Sequence, residues 1–293
     1  MKYYFIINPQ SGKLNKKNLE DNIRNACIRR EIPYKIIYSE SAGDAKRIAK
    51  KIEDTEECVV FSVGGDGSLN EVLNGIAGSK NKILGNIPSG SGNDFDKTLR
   101  MFDSGIHSID VGKINGRYFI NVACIGLDAD VANNVLTFRH KKWIPVKQRY
   151  NASLIYTFIK YKYKHLKIQM GQSSIDSDCT ILAICNGQYY GGGFRIAPHS
   201  ILNDGMFDIY FVRKLAKPKI IPVLLKLLRA KHDSSPKVER YEDSKIIVAS
   251  EEDYTFNVDG ELLTGRHFEL EIEKNGIRVF NDRKFIEEVC VWQ

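Results

Sequence analysis

The stretch that most constrains the fold is an apolar run, residues 58–63, which stops abruptly at two glycines. It continues as Gly64-Gly65-Asp66-Gly67-Ser68, after which apolar residues return at helical spacing, at Leu69, Val72, Leu73 and Ile76. This pattern predicts a buried strand, a tight glycine turn and a helix. Such a turn aims free backbone N–H groups and the positive end of a helix at an anion.

Asp66 lies inside this turn, where its charge would repel a bare phosphate. A divalent cation between the carboxylate and the phosphate is therefore the natural inference. The alternative is an ordinary strand-to-helix turn in which Ser68 caps the helix. The turn alone does not decide between the two interpretations.

Three further apolar segments of the first 90 residues, 3–7, 34–38 and 83–87, predict strands that alternate with helical patterns. This alternation is typical of a parallel, doubly wound sheet with helices on both faces. Ligands of such sheets bind at the carboxyl ends of the strands. The turns after the first, third and fourth predicted strands are all rich in Gly, Ser and Asn, as that rule requires.

The pattern changes near residue 110. Asn115-Gly116 between two apolar segments predicts a β-hairpin, and Asn275-Gly276 predicts a second one. From about residue 170 strands dominate, at 179–185, 206–212, 245–249, 254–258, 268–272 and 277–280, with helices only around 152–162 and 218–228. We therefore predict an α/β domain over 1–122 and a mainly antiparallel β domain over 123–293, whose last residues could pack back on the first.

Charge and cysteine usage limit the environment of the protein. The net charge is +7, and the segments 131–175 and 209–232 contain no acidic residue. The six cysteines have no CxxC spacing, which is typical of buried thiols in a reducing compartment. We expect a cytoplasmic protein whose basic segments contact an anionic membrane surface peripherally. Nucleic acid is not expected as a partner, because no recognised module accompanies the charge.

The common nucleotide-binding motifs are missing. Gly12-Lys13 is followed by Leu14 where a P-loop needs Ser or Thr, and neither the protein-kinase Gly-rich loop nor the dinucleotide fingerprint occurs. Another set of motifs runs through the chain: Asn8-Pro9-Gln10-Ser11-Gly12, the Gly64–Ser68 turn with Leu69-Asn70-Glu71, Ser91-Gly92-Asn93-Asp94-Phe95, Gly126-Leu127-Asp128-Ala129, Asn186-Gly187, Gly191-Gly192-Gly193, Asp204-Gly205-Met206-Phe207-Asp208 and Val258-Asp259-Gly260-Glu261.

In this order the motifs resemble those of the lipid kinases related to diacylglycerol and sphingosine kinases, of which the soluble bacterial branch is closest in size. Ser68 departs from the usual Thr, and Ser91 lies in Gly-Ser-Gly instead of a Gly-Thr pair; both keep a hydroxyl. Asp96 departs further, since a small apolar residue is common there. The resemblance implies an ATP- and Mg-dependent kinase with an NAD kinase- or phosphofructokinase-like α/β nucleotide domain and a C-terminal β-sandwich that holds the lipid.

The resemblance also implies roles for single residues. The nucleotide would be bound by Asn8, Pro9, Gln10, Ser11, Gly12, Ser39, Gly64, Gly65, Asp66, Gly67, Ser68, Leu69, Asn70, Glu71, Ser91, Asn93 and Asp94. Asp66 would serve the catalytic Mg²⁺, and Asp259 would be the general base with Glu261 beside it. Asp204, with the backbone carbonyls of Ile201 and Met206, would hold a structural Mg²⁺.

Phosphoryl transfer needs positioning, charge neutralisation and a base near the acceptor hydroxyl. Asp259 could be that base if a cleft between the domains brings it to the phosphate of the nucleotide. From the residues alone, Asp259-Gly260 and Asp204-Gly205 are also favoured hairpin turns. Asp110 and Asp128 could join the magnesium network or simply begin or end elements.

Three functions remain open. The first is a lipid kinase acting on diacylglycerol, with sphingoid bases and phosphatidylglycerol as other acceptors. The second is an NAD kinase, against which the Asn8-Pro9 turn and residues 258–261 argue. The third is a non-catalytic lipid- or nucleotide-binding regulator. A homodimer paired through an exposed sheet edge is also open.

Overall fold

A computed structural model describes residues 1–11, 16–90, 92–127, 130, 160–227 and 229–290. The helices are α1 Lys16–Arg29, α2 Asp44–Lys51, α3 Asp66–Ile76, α4 Asp94–Leu99, α5 Lys217–Leu227 and α6 Arg283–Val289. The strands are β1 Lys2–Ile7, β2 Tyr34–Tyr38, β3 Cys58–Gly64, β4 Lys82–Pro88, β5 Gly105–Ile114, β6 Arg117–Phe119, β7 Val122–Gly126, β8 Lys164–Met170, β9 Ser173–Cys185, β10 Tyr189–Tyr190, β11 Phe194–Arg195, β12 Phe207–Arg213, β13 Glu239–Asp243, β14 Lys245–Val258 and β15 Glu261–Asn281.

The first part of the chain forms a parallel sheet in the order β2-β1-β3-β4. Strand β3 is buried along its whole length, and its side chains alternate between two cores. Val60 packs with residues of α2, α3 and α4 on one face of the sheet. Phe61 packs with residues of α1 and α6 on the other face. Helices on both faces confirm the predicted doubly wound domain, and they explain why β3 reads as a continuous apolar run.

The second part of the chain is a β-sandwich, which confirms the predicted antiparallel region. The long strands β9 and β14 each pair twice. The first halves of both pair with β8, and the second halves pair with β7. The bending strands enclose one apolar core, which includes Leu166, Leu182, Phe256 and Phe268.

Strand β15 connects the two parts. It begins next to β14, and its residues Arg278, Val279 and Phe280 then pair in parallel with β4 of the first sheet. Helix α6 follows and places Phe285 in the core beside α1. Residues 278–290 therefore pack on the first part, as predicted for the end of the chain. The predicted boundary between residues 122 and 123 stays a prediction.

The predicted hairpin at Asn275-Gly276 is wrong. Strand β15 runs through this dipeptide with a register shift between Glu273 and Ile277, and Asn275 has a φ of 52°. The backbone N–H of Asn275 donates to Asp110 Oδ1 at 2.7 Å, on the neighbouring strand β5. A bulge held by a buried carboxylate thus replaces the reversal that the dipeptide favours locally.

The predicted hairpin at Asn115-Gly116 is confirmed, because Ile114 pairs with Arg117 across it. Its second strand is shorter than expected, since the predicted continuous segment 117–123 is divided between β6 and β7. The N–H groups of Ile120 and Asn121 between these strands donate to a carboxylate, not to a neighbouring strand.

Two further predictions concern the second part of the chain. The predicted strands 245–249 and 254–258 are one strand, β14. Most of the predicted helix near 152–162 lies outside the described residues.

Candidate active site

The turns after β1, β3 and β4 lie together at the carboxyl edge of the parallel sheet. Asn8 N donates to Val63 O at 3.0 Å, and Ser89 N donates to Gly64 O at 2.9 Å. The Asn8 amide also donates to Ser68 Oγ at 3.0 Å. These bonds bring three of the predicted nucleotide-binding segments into one surface. Gly12 and Ser91, predicted for the same surface, lie outside the described residues.

Glycine is required at two positions because backbones and side chains approach closely there. A Cβ atom on Gly90 would lie 2.5 Å from Gly65 Cα, and one on Gly64 would lie 2.5 Å from Ser68 Oγ. Any side chain would push these turns apart. The sequence identified Gly64 and Gly65 as site residues. Ser68 leaves no space for a side chain at Gly64, and Gly65 is the residue whose backbone Gly90 approaches.

A cavity of about 230 Å³ opens beside the turns. Its lining contains six of the predicted nucleotide-binding residues, and the whole lining is Asn8, Gln10, Ser39, Glu40, Ser41, Ala42, Ala45, Gly67, Ser68 and Glu71. Pro9 lies in the same turn as Gln10, whose N–H donates to Asn8 Oδ1 at 3.0 Å. Leu69 is different, because its side chain is buried in the core and only its backbone could contact a ligand.

Glu71 shapes the wall of this cavity. Its carboxylate accepts hydrogen bonds from Gly43 N at 2.8 Å and from Ala45 N at 3.1 Å, which are at the start of α2. A carboxylate is favourable there because the first N–H groups of a helix lack partners within it. Glu71 therefore positions the helix that forms one side of the cavity, in addition to lining it.

Asp66 is held by the helix that follows β4. Its carboxylate accepts hydrogen bonds from Asn93 N at 2.9 Å and from Asp94 N at 2.8 Å, at the start of α4. A Cβ on Gly92 would lie 2.4 Å from Asp66 Oδ2, so glycine is needed there too. Burial, and then the charge of Asp94, raise the pKa of Asp66 above its usual value.

Asp94 joins this acid to the second part of the chain. Its Oδ1 accepts from Lys97 Nζ at 3.0 Å, and its Oδ2 accepts from Gly192 N at 2.8 Å. Gly192 is the middle residue of a triplet whose φ angles are all positive, at 62°, 88° and 121°. Sequence reasoning missed Lys97, although a lysine three residues after Asp94 on a helix was a usable signal.

Asp259 lies in the tight turn between β14 and β15, with a φ of 48°. Its carboxylate is surrounded by donors of the β6–β7 junction: Ile120 N at 2.7 Å, Asn121 N at 3.1 Å and Val122 N at 2.9 Å. The hairpin turn that the residues alone favour at Asp259-Gly260 is therefore present, and the role of Asp259 as the base stays a prediction. Sequence reasoning missed the backbone donors, which leave no pattern in the side chains.

Burial raises the pKa of Asp259 to about 6, the backbone donors oppose this rise, and the charge of Asp66 adds to it. The two acids are therefore close enough to interact electrostatically. Asn70 lies on α3, the helix that begins at Asp66, and its amide donates to Asp259 Oδ2 at 3.4 Å. Glu261, predicted beside the base, forms an ion pair with Arg117.

The predicted structural metal site lies in the turn that precedes β12. Asp204 Oδ1 accepts from Met206 N at 3.0 Å, and Ile201 is exposed. The turn is anchored by Asp110, whose Oδ2 accepts from Gly205 N at 2.7 Å. Among the described residues no group of three or more His, Cys, Asp or Glu side chains has the arrangement of a metal site, so this metal stays a prediction. Asp128 lies outside the described residues.

The pair of Asp66 and Asp94 fits a divalent cation on chemical grounds. Asp66 accepts a hydrogen bond from the backbone N–H of Asp94, and the charge of the Asp94 carboxylate raises the pKa of Asp66, so two acids lie near one another in a partly buried site. Carboxylate oxygens are the ligands that Mg²⁺ prefers, and a cation would remove this repulsion. The start of α3 beside them offers backbone N–H groups to an anion.

Comparison with known proteins identifies both parts of the chain. Residues 2–115 match the family "diacylglycerol kinase catalytic domain", and residues 121–281 match the family "YegS C-terminal NAD kinase beta sandwich-like domain". The diacylglycerol kinase of Bacillus subtilis is 32% identical over 75% of this chain and 76% of its own length. That of Staphylococcus saprophyticus is 29% identical over 98% of both chains.

A solved structure supports the same fold. A putative diacylglycerol kinase from Bacillus anthracis superimposes with a TM-score of 0.78, covering 97% of each chain at 22% sequence identity. In the described residues of the present chain, no helix is both long and apolar enough to cross a membrane.

The acid pair predicts a measurable response to Mg²⁺. We expect millimolar MgCl₂ to raise the melting temperature of the protein, and Asp66→Asn to abolish most of that rise, because one cation ligand is lost. The rise should grow as the pH increases through the elevated pKa of Asp66, since a proton competes with the cation. Thermal melts with and without Mg²⁺ measure this. The same concentration of KCl is the control, and an equal rise in Asp66→Asn would contradict the assignment.

Proposed function

The chain belongs to the diacylglycerol kinase family and is a lipid kinase, and from this premise we propose that it transfers the γ-phosphoryl group of ATP to the hydroxyl of diacylglycerol, giving phosphatidic acid. The observation that supports the proposal most directly is the contact of Asp259 with α3, the helix that begins at Asp66: the Asn70 amide lies 3.4 Å from Asp259 Oδ2, and the charge of Asp66 helps to raise the pKa of Asp259. The two acids come from the two matched regions of the chain, and a kinase needs a phosphate site next to an acid that can take a proton.

The nucleotide would lie along the carboxyl edge of the parallel sheet. In this proposal the cavity between α2 and α3 takes the nucleoside, and the backbone N–H groups at the start of α3 face the phosphates. Asp66 and Asp94 would hold Mg²⁺, which supplies neutralisation of the triphosphate charge when bound. Because Asp66 is fixed by two backbone N–H groups, its carboxylate needs little rearrangement to act.

Asp259 would act as the base. In the proposed step the acceptor oxygen bonds to the γ-phosphorus, the bond from that phosphorus to ADP breaks, and the hydroxyl proton passes to the Asp259 carboxylate. The contact from Asn70 is the longest to this carboxylate, at 3.4 Å, so we propose that the acceptor hydroxyl takes its place. The three backbone donors hold the carboxylate in position while the proton moves.

An assay with a panel of lipids tests the substrate. Labelled ATP is offered separately with diacylglycerol, sphingosine, phosphatidylglycerol and NAD, and the product is identified by mass. We expect phosphatidic acid as the main product and its loss in Asp66→Asn, because the proposed cation ligand is removed. Transfer to NAD alone would support an NAD kinase instead. Nucleotide binding without transfer to any acceptor would support a non-catalytic regulator.

The pKa of Asp259 predicts the pH dependence of the reaction. A protonated carboxyl cannot accept a proton, so kcat/KM should fall as the pH drops through about 6 and level off above it. Asp259→Asn should lower kcat by roughly 10²- to 10⁴-fold. Circular dichroism checks that this variant folds, since the asparagine NH₂ group would face backbone donors. A profile that is flat between about pH 5 and 8, or undiminished turnover in a folded variant, would remove Asp259 from the base role.

The contribution of Asp259 to the stability of the protein should have the opposite pH dependence. The folded state binds the Asp259 proton more tightly than the unfolded state, because the folded pKa is raised. Protonation of this group therefore increases the free energy of unfolding as the pH falls from about 6 towards 4. Loss of activity at low pH with a retained melting temperature would therefore distinguish titration of the base from unfolding.

We also propose a cytoplasmic enzyme that docks on anionic membranes through α5. Ile221 and Leu225, four residues apart on this helix, are 49% and 53% exposed. The segment 209–232 around them contains several basic residues and no acidic one. Apolar side chains next to basic ones suit the interface of an anionic bilayer.

The double variant Ile221→Ser/Leu225→Ser tests the docking proposal. We expect its binding to phosphatidylglycerol vesicles in a sedimentation assay to fall by about 10-fold or more, because burying an aliphatic side chain contributes roughly 1.5–3 kcal/mol. Ile28→Ser is the matched control, since Ile28 is 61% exposed on α1. Binding that stays equal in the double variant and the wild type would place the docking surface elsewhere.

A further inference from the structure

Asp96 is a buried acid that the proposed chemistry does not use. It lies on α4, two residues after Asp94, and only 4% of its surface is exposed. A buried carboxylate is costly unless it is paired and hydrogen-bonded. Its Oδ1 accepts from Arg283 Nη1 at 2.7 Å, and its Oδ2 accepts from Arg100 Nε at 3.1 Å.

The two arginines differ in how firmly they are held. Arg100 follows the same short helix, and 69% of its side chain is exposed. Arg283 begins α6, whose first turn is capped by Asp282, and 25% of its side chain is exposed. Arg283 Nη2 also donates to the backbone carbonyl of Asp96 at 3.3 Å. Arg283 therefore ties α4 to a packed helix 187 residues further along the chain.

Asn281, two residues before Arg283, binds the C-terminal end of α4 and the residues that follow it. Its amide nitrogen lies 3.3 Å from Leu99 O, 2.9 Å from Phe102 O and 3.0 Å from Asp103 O. Carbonyl groups at the end of a helix need such donors. Because α4 has only six residues, it is too short to be stable alone. Its position depends on the packing of Phe95 and Leu99 in the core and on these polar contacts at its end.

The N-terminal end of α4 lies at the candidate active site. Its first N–H groups bind Asp66, and its first residue, Asp94, is the second acid of the pair. We propose that Arg283, acting through Asp96, is a positioning residue that sets Asp94 against Asp66 and thereby the affinity for Mg²⁺-bound nucleotide. This inference rests on the proposed function, but it concerns the nucleotide half of the site alone.

The magnitude follows from the geometry. Displacing a catalytic group by about 1 Å can cost roughly 10²-fold in rate. Without Arg283, α4 would still be held by Asn281 and by Asp66, so we expect Asp94 to move by less than that distance. We therefore expect a loss of about 10-fold in affinity for Mg²⁺-bound nucleotide. The proposed position of the acceptor hydroxyl is at Asp259 and not at α4, so the KM of the acceptor lipid should stay the same.

The test compares Arg283→Ala, Asp96→Ala and the double variant with the wild type. Calorimetry with a non-hydrolysable ATP analogue and Mg²⁺, without lipid, should show about 10-fold weaker binding in each single variant. The double variant should be no weaker than either, because both single changes break the same contact. Arg100→Ala, which removes the exposed partner of the same carboxylate, is the control and should stay within about 2-fold.

The readouts separate positioning from simple stabilisation. A purely structural ion pair would lower the melting temperature and leave the affinity for the nucleotide analogue unchanged in protein that is folded at the assay temperature, and that result would overturn the inference. If Arg283→Ala does not fold, Arg283→Lys and Asp96→Asn take its place, with an expected loss of about 3-fold; equal affinity in these variants would likewise overturn it. A wild-type protein that binds the analogue but phosphorylates no lipid contradicts the proposed function and leaves the affinity comparison valid.

Discussion

The burial of the Asp259 carboxylate is the interaction on which the rest of the site depends. A buried acid must find donors, and it finds them in three consecutive backbone N–H groups between β6 and β7. These donors are free for the side chain because the chain leaves the sheet at Ile120 and Asn121. The same contacts attach the β14–β15 turn to the part of the chain that follows the parallel sheet. The acid is therefore fixed by the backbone of a distant segment, and burial raises its pKa towards neutrality.

Charge balance explains the arrangement of the acids around α4. Asp66, Asp94 and Asp96 lie on or against one short helix, and each has different partners. Asp66 takes backbone N–H groups, Asp94 takes Lys97 and a glycine N–H, and Asp96 takes two arginines. The acid pair of Asp66 and Asp94 is left with mutual repulsion that a cation would relieve. Asp96 is neutralised by its two arginines and so contributes to the position of α4 instead of cation binding.

Strand β15 explains how the end of the chain reaches the beginning. It leaves the sandwich beside β14, passes the bulge at Asn275 and pairs in parallel with β4. Asn281 and Arg283 then meet α4 directly. A local sequence reading of Asn275-Gly276 predicts a reversal, but a buried carboxylate and two flanking strands stabilise the extended path.

The sequence by itself determined the local units and the family. Apolar periodicity defined the strand-turn-helix units of the first sheet, the glycine turns marked its ligand-binding edge, and motifs in chain order named Asp66 and Asp259. These features are local because backbone sterics and side-chain spacing act over a few residues. Only the tertiary structure decided which acids meet, which donors satisfy Asp259, and which arginine holds Asp96. Asp259 lies 137 to 139 residues from its backbone donors, and Arg283 lies 187 residues from Asp96. Long-range packing, which leaves no periodic pattern in the sequence, brings these groups together.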